Sequence, residues 1–179
     1  PVNARYYEGP LHGRRLCLAR CGIGKVHAAL CCQGMLLKHP EIKAILNIGV
    51  AGALRPTLQI GGLVLAKSAV QHDMDTSPIG DPVGMISGID LVYLPCDERA
   101  AAALRKAAAE TGVKVFAGAV ATGDRFVENI DEKRRIHELF GADACDMEGG
   151  AIAQCCYEMN VPYAAVRAIS DTRLGDGRE

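Results

Sequence analysis

Short apolar runs alternate with stretches of helical periodicity along most of this chain. The apolar runs predict strands, which we place at residues 15–21, 43–48, 62–70, 113–121, 142–146 and 163–169. Apolar residues at helical spacing, or strong helix formers between capping residues, predict helices at residues 25–39, 97–110, 131–140 and 148–159. Strands that alternate with helices are typical of an α/β protein in which helices cover both faces of a sheet. We therefore predict a three-layer α/β/α fold in a single domain that spans residues 1–179.

Two connections depart from this rhythm. No helical stretch separates the strand at residues 43–48 from the strand at residues 62–70, which indicates an antiparallel or looped connection and hence a mixed central sheet. Residues 71–95 hold several Gly and Pro residues without a sustained period, and connections of this length are usually functional. Ligands of α/β sheets bind beyond the strand ends, where loops and helix N-termini converge. Functional residues are therefore expected just after the strands.

The composition narrows the classes of function. Of the 179 residues, 49% are hydrophobic and only 4% are aromatic, so the core must rely on closely packed aliphatic residues and Cys. The 20 Lys and Arg residues stand against 21 Asp and Glu residues, and a net charge of −1 gives no reason to expect a nucleic-acid partner. No apolar run approaches the roughly 20 residues of a membrane helix, and no signal-peptide pattern follows Pro1. We expect a cytoplasmic protein without a membrane partner.

The eight cysteines raise the question of a metal site or of disulfides. No CxxC motif occurs. The neighbouring pairs Cys31 with Cys32 and Cys155 with Cys156 lie in helical patterns, where adjacent side chains point about 100° apart. We therefore expect reduced core cysteines, no metal and no cofactor.

Two acidic segments follow strands and are candidates for catalytic or ligand-binding residues. Asp146, Met147 and Glu148 stand at a strand-to-helix junction with two glycines behind them. These carboxylates either cap the helix or bind a ligand that approaches the backbone. Ser170 and Asp171 end another strand, where Asp171 is either a helix cap or a general acid at the mouth of a cleft.

Further segments give weaker signals. Arg167 precedes Asp171 by four residues on the same strand, so it shares the face of Asp171 and can pair with one of the acids. Phe126 is either a core residue or a platform on which a base stacks. The GIGK segment at residues 22–25 lacks the full P-loop and dinucleotide patterns. The HDMD segment at residues 72–75 lacks further metal ligands nearby, which favours a loop contact.

Taken together, these segments resemble one family. The shared segments are residues 21–26 (CGIGKV), 47–52 (NIGVAG), 123–126 (GDRF), 146–149 (DMEG) and 167–171 (RAISD). In order and spacing they resemble 5′-methylthioadenosine/S-adenosylhomocysteine nucleosidases of the nucleoside phosphorylase and hydrolase superfamily, over nearly the whole chain. The resemblance implies a nucleoside phosphorylase-like fold. It also implies hydrolysis of the N-ribosidic bond with release of adenine, in methionine salvage and without a cofactor.

The resemblance implies a role for each matching residue. Asp171 is expected to be the catalytic acid that protonates N7 of the purine, with Ser170 beside it. Phe126 is expected to stack on the base, and the backbone of Val127 to bind its Watson–Crick edge. The other implied substrate-binding residues lie around the ribose, and they are Ile23, Ala51, Gly52, Asp146, Met147, Glu148 and Arg167.

The sugar side of the implied site explains the need for a second carboxylate. Glu148 is expected to accept hydrogen bonds from the sugar hydroxyls, and Arg167 to hold Glu148. Breaking the bond builds positive charge on the sugar while adenine needs a proton, so an acid at the base and a carboxylate at the sugar meet both demands. Phosphorylases of the superfamily carry Arg and Ser around the glycine that matches Gly49. This chain has Asn47 and Val50 there, which favours water as the nucleophile.

The resemblance also implies what lies around the site. The family's first strand and helix, which carry the Glu that positions the water, have no counterpart before Tyr6, and its C-terminal helix has none after Glu179. We therefore expect a chain truncated at both ends and inactive by itself. The loop at residues 71–95 resembles the segment that reaches a neighbouring subunit, which would place Thr76 and Ile79 at a homodimer interface. Three alternatives stay open: a phosphate-dependent phosphorylase, a related hydrolase such as one for futalosine, and a non-catalytic purine-nucleoside-binding domain.

Overall fold

The computed structural model describes residues 4–172, which form a central sheet with helices on both sides and a separate hairpin. The strands are β1 (Tyr6–Leu11), β2 (Arg14–Ala19), β3 (Ile45–Ala53), β4 (Leu63–Gln71), β5 (Leu94–Pro95), β6 (Val115–Thr122), β7 (Ala142–Asp146) and β8 (Tyr163–Asp171). The helices are α1 (Lys25–Lys38), α2 (Glu98–Glu110), α3 (Ile130–Phe140) and α4 (Gly149–Glu158), and a short 3-10 helix spans Ser77–Ile79.

The central sheet is mixed and curls on itself. Its strand order is β5-β4-β6-β7-β3-β8, and β8 also pairs with β4, so five strands close into a small barrel. The pairs β3–β8, β4–β6 and β6–β7 are parallel, whereas β3–β7, β4–β5 and β4–β8 are antiparallel. The predicted mixed sheet is confirmed. The strands β3 and β4 run in opposite directions as predicted, but they are not neighbours, because β8 lies between them.

Helices cover both faces of the sheet and bury its apolar residues in two clusters. Helices α1 and α4 pack against each other and, with small side chains such as Ala28, Ala151 and Cys156, form the larger cluster on one face. Helix α3 covers the other face with Ile136 and Phe140. The low aromatic content therefore corresponds to close contact between small residues, and the predicted three-layer arrangement is confirmed.

Helix ends follow the capping signals of the sequence. The Asp97 side chain accepts a hydrogen bond from the backbone N–H of Ala100 at 2.8 Å, which satisfies an N-terminal donor of α2. Asn129 caps α3 in the same way by accepting from the N–H groups of Asp131 and Glu132. Gly141 ends α3 in the left-handed conformation, with φ of 58°, which glycine adopts without steric cost. These local signals explain why the predicted and observed bounds of α2, α3 and β7 differ by at most a residue or so.

The prediction for residues 15–21 is wrong in one respect. Strand β2 does form, but it pairs only with β1, which the apolar pattern did not predict, and the pair lies outside the central sheet. His12 and Gly13 connect the two strands with φ of 48° and 74°, the positive values that the tight two-residue turn of a β-hairpin requires. The hairpin leaves β2 largely exposed instead of covered by helices on both faces.

The structure also describes the state of the cysteines and the length of the helices. All eight cysteines are free, and Cys31, Cys32, Cys145 and Cys156 are buried. Among residues 4–172, no helix is both long and apolar enough to cross a membrane.

Candidate active site

A cleft of about 210 Å³ opens where β3, β7 and β8 end. Most of the site residues predicted from the sequence lie on its wall, namely Ile23, Ala51, Gly52, Phe126, Val127, Asp146, Met147, Glu148, Ser170 and Asp171. Val50, Arg125 and Cys145 complete the wall. Five segments that are far apart in the sequence therefore meet in one place, and four of them lie at or just after the ends of central strands, where ligands of such sheets bind.

Asp171 stands at the end of β8 with both carboxylate oxygens in contact with polar groups. Its Oδ2 accepts a hydrogen bond from Nζ of Lys133 at 2.5 Å, and its Oδ1 lies 3.3 Å from the hydroxyl of Ser170. Gly52 makes room for this carboxylate, because a Cβ atom at that position would lie only 3.0 Å from Oδ1. The structure therefore places an acid against the backbone of β3, inside the cleft.

Asp146 lies at the end of β7 in a buried network that the sequence did not predict in this form. Its Oδ2 is 2.6 Å from Nη2 of Arg167, and both side chains are at most 3% exposed. Its Oδ1 accepts from the hydroxyl of Thr122 at 2.5 Å and from the N–H of Gly149 at 3.1 Å. Arg167 was expected to hold Glu148, and this expectation is wrong. The carboxylate of Asp146 binds the guanidinium instead, and Arg167 does not line the cleft.

Glu148 is held by a backbone amide instead of by the arginine. Its Oε1 accepts from the N–H of Gly24 at 3.1 Å, just before α1 begins. The next amide, that of Lys25, donates to Oδ1 of Asp124 at 2.7 Å. Carboxylates are favoured at a helix N-terminus because the exposed N–H groups and the helix dipole are positive there. In the structure these two amides serve protein carboxylates, which leaves them unavailable to a bound phosphate.

The remaining wall of the cleft is largely apolar. Phe126 is 72% exposed, whereas the neighbouring Val127 is buried. A phenylalanine that reaches into solvent beside a cleft offers a flat apolar surface to a ligand. Cys145 lies on the same wall, and burial raises the pKa of its thiol to about 12, so the group stays neutral at physiological pH.

The loop after β4 contacts the site only indirectly. Asp73 accepts from Nζ of Lys25 at 2.7 Å and from the N–H of Asp124, which ties the loop to α1. Burial lowers the pKa of the neighbouring His72. Within the described part of the chain, no group of three His, Cys, Asp or Glu side chains is placed to hold a metal ion.

Thr76 and Ile79 do not line the cleft of the single chain. The Thr76 hydroxyl donates to Asp81 at 2.7 Å, and Ile79 is 80% exposed. Their predicted place at a subunit interface stays a prediction.

A second cleft, of about 250 Å³, lies near the start of β4 and β6. Residues such as Thr57, Gln59, Lys114 and Phe116 line it, and none of the described residues on its wall carries a carboxylate. General acid chemistry therefore has its groups only in the first cleft of the two.

Three residues that support the site were missed by the sequence interpretation. Lys133 lies in the predicted helix at residues 131–140 and was not singled out, yet its side chain is fully buried. Its spacing contains a usable signal, because Lys133, Ile136 and Phe140 recur at i, i+3 and i+7 and so share one face of α3. Thr122 and the amide of Gly24 carried no comparable signal, since their partners are brought together only by the fold.

Comparison with known proteins gives consistent matches over nearly the whole chain. The sequence profile of the phosphorylase superfamily matches residues 1–179. The chain is 38% identical over 170 residues to the aminodeoxyfutalosine nucleosidase of Campylobacter jejuni, a match that covers 95% of this chain and 73% of that protein. It is 34% identical to the 5′-methylthioadenosine/S-adenosylhomocysteine nucleosidase of Shewanella pealeana, over 98% of this chain and 76% of that protein. The crystal structure of the Campylobacter jejuni 5′-methylthioadenosine/S-adenosyl homocysteine nucleosidase is similar with a TM-score of 0.90 and 37% identity, covering 97% of this chain and 75% of that chain.

Proposed function

The chain belongs to the phosphorylase superfamily, and we propose that it hydrolyses the N-ribosidic bond of 5′-methylthioadenosine and S-adenosylhomocysteine, releasing adenine. The observation that carries this proposal is the cleft itself, where two carboxylates, Asp171 and Glu148, share one wall with the exposed Phe126. These are the groups that the reaction needs at its two ends: an acid for the departing base and a carboxylate for the sugar.

In this proposal Asp171 gives its proton to N7 of adenine as the bond between sugar and base breaks. The O–H bond of the carboxyl group breaks, an N7–H bond forms, and the electron pair of the glycosidic bond passes onto N9. Water then forms a bond to C1′ of the ribose and releases a proton to solvent, from which Asp171 is protonated again. Phe126 stacks on the base and the backbone of Val127 binds its edge, while Met147 and Glu148 bind the ribose. Glu148 is well suited to the developing positive charge, because a negative charge fixed in advance needs no rearrangement in the transition state.

Two observations favour water over phosphate as the nucleophile. The amides of Gly24 and Lys25, which begin α1, donate to carboxylates within the protein, so a ready anion site is already occupied. Val50 presents an apolar side chain to the cleft, where a phosphate would need a hydrogen-bond donor.

The two sequence relatives named above differ by name in the 5′-substituent of the nucleoside. This substituent lies at the opposite end of the ribose from the bond that breaks. We propose that the loop carrying Thr76 and Ile79 closes this end from a second copy of the chain in a homodimer. The 80% exposure of Ile79 supports a contact outside the single chain.

The test is adenine release by the full-length protein from 5′-methylthioadenosine, measured with and without phosphate. We expect free methylthioribose as the other product in both buffers, and a loss of about 10²–10⁴ in rate for Asp171→Asn while nucleoside binding survives. A rate that requires phosphate, with methylthioribose 1-phosphate as product, would replace the proposal by a phosphorylase. Tight nucleoside binding without turnover would instead select a binding domain. Parallel assays with aminodeoxyfutalosine decide the preferred 5′-substituent.

A further inference from the structure

The side chain of Lys133 is fully buried, although lysine is among the residues least often found inside proteins. It extends from the second turn of α3 to the end of β8, where its Nζ donates to Oδ2 of Asp171 at 2.5 Å. Taking an ammonium group out of water is costly unless a partner of opposite charge and a hydrogen bond compensate. The chain therefore places a buried positive charge in direct contact with the proposed acid.

Among residues 4–172, the ion pair of this ammonium is with Asp171. The other side chains of α3 on the same face, Ile136 and Phe140, are apolar and buried. Cys145 on β7 lies close enough for the charge of Lys133 to act on it, but burial raises the pKa of this thiol to about 12 and keeps it neutral. The contact with Oδ2 also orients the carboxylate, so that Oδ1 lies toward the hydroxyl of Ser170 on the cleft wall.

We propose that Lys133 is a positioning residue for the reaction at the base: it holds Oδ2 of Asp171 and stabilises the carboxylate that is left once the carboxyl proton has moved to N7. The inference rests on the proposed function. In the proton transfer, the O–H bond of Asp171 breaks and the N7–H bond forms, and the negative charge that appears on the carboxylate lies against the ammonium of Lys133. The ion pair therefore favours the state in which the base carries the proton.

Two purine-like bases distinguish this role from a purely structural one. Adenine presents a lone pair at N7, whereas 4-amino-5H-pyrrolo[3,2-d]pyrimidine has the same shape with an N–H at that position. The second base resembles the state after proton transfer, because its N–H donates to an ionised Asp171. Calorimetric titration of both bases gives the ratio of their dissociation constants for the full-length protein, for Lys133→Met and for the control Lys106→Met. Lys106 is an exposed lysine of α2, so its substitution removes the same charge at a site away from the cleft.

We expect the unmodified protein and Lys106→Met to prefer the N–H base, and Lys133→Met to lose at least tenfold of that preference, which corresponds to about 1.4 kcal/mol. A general loosening of the fold would weaken the binding of both bases equally and leave the ratio of their dissociation constants unchanged. If Lys133→Met does not fold, Lys133→Gln, which keeps a hydrogen-bond donor without the charge, takes its place. An unchanged ratio in the folded Lys133 variant overturns the inference and leaves the proposed function intact. Failure of the unmodified protein to bind either base would instead refute the proposed function.

Discussion

Replacing Asp146 by Asn is expected to destabilise the folded protein by about 3–5 kcal/mol, because it breaks a buried ion pair from one side. The Asp146 and Arg167 side chains are at most 3% exposed, and Oδ2 and Nη2 lie 2.6 Å apart. Asn keeps the shape of the side chain and can still accept from Thr122 and Gly149. The loss therefore comes mainly from the buried charge of Arg167, which no longer has a partner.

The size of the effect can be read from thermal and urea unfolding followed by circular dichroism. For a domain of this length, 1 kcal/mol lowers the melting temperature by about 2–4 °C, so the expected drop is roughly 6–20 °C. Arg167→Met alone should cost a similar amount, since it leaves the Asp146 carboxylate buried and unpaired. The double variant Asp146→Asn/Arg167→Met removes both charges and should recover at least about 2 kcal/mol relative to the sum of the single variants.

Measurements on the double variant can also refute this reasoning. If each single substitution costs less than about 1 kcal/mol and the costs simply add, the two charges do not interact as the structure indicates. The matched control is the pair Arg134 and Asp131 on α3, which are 3.2 Å apart but more than half exposed. Substitution of that pair is expected to change stability by less than about 0.5 kcal/mol, because exposed pairs contribute little.

The cleft and the buried thiols give three further expected outcomes. Glu148→Gln should lower kcat more than it raises KM in steady-state assays of adenine release, because contacts to the sugar strengthen in the transition state, and a pure KM effect would contradict this role. Phe126→Ala should raise KM by roughly tenfold while the melting temperature stays nearly constant, since the ring is 72% exposed. Burial raises the pKa of Cys145 to about 12 and of Cys96 to about 11 from 9.0. The thiols in the unfolded chain lose their protons first, so the free energy of unfolding should be insensitive to these thiols below pH 9 and fall as the pH rises above 9. The fall should be less steep in Cys145→Ala, and an equal slope in that variant would contradict the assignment.

Local patterns accounted for most of the elements and for the position of the cleft. The capping signal at Asp97 predicted where α2 begins, because a cap is a contact between residues a few positions apart. The apolar runs predicted five strands of the central sheet for the same reason, since the periodicity of burial is a property of one segment, whereas the two-residue β5 (Leu94–Pro95) lies in a segment predicted as a loop. The acids at Asp146, Glu148 and Asp171 could be picked out because they follow such strands, and strand ends meet at one edge of a sheet.

What the amino-acid sequence determined by itself is thus most of the elements, the fold class and the segments that form the cleft. The tertiary structure alone decided the partners within it: Arg167 with Asp146 instead of Glu148, Lys133 with Asp171, and the amide of Gly24 with Glu148. It also decided that β8 lies between β3 and β4 and that β2 pairs with β1 in a separate hairpin outside the central sheet. The physical reason is the range of the interactions. Propensity, capping and periodicity act within a few residues, whereas an ion pair or a strand neighbour depends on which distant segments the packed core brings within reach.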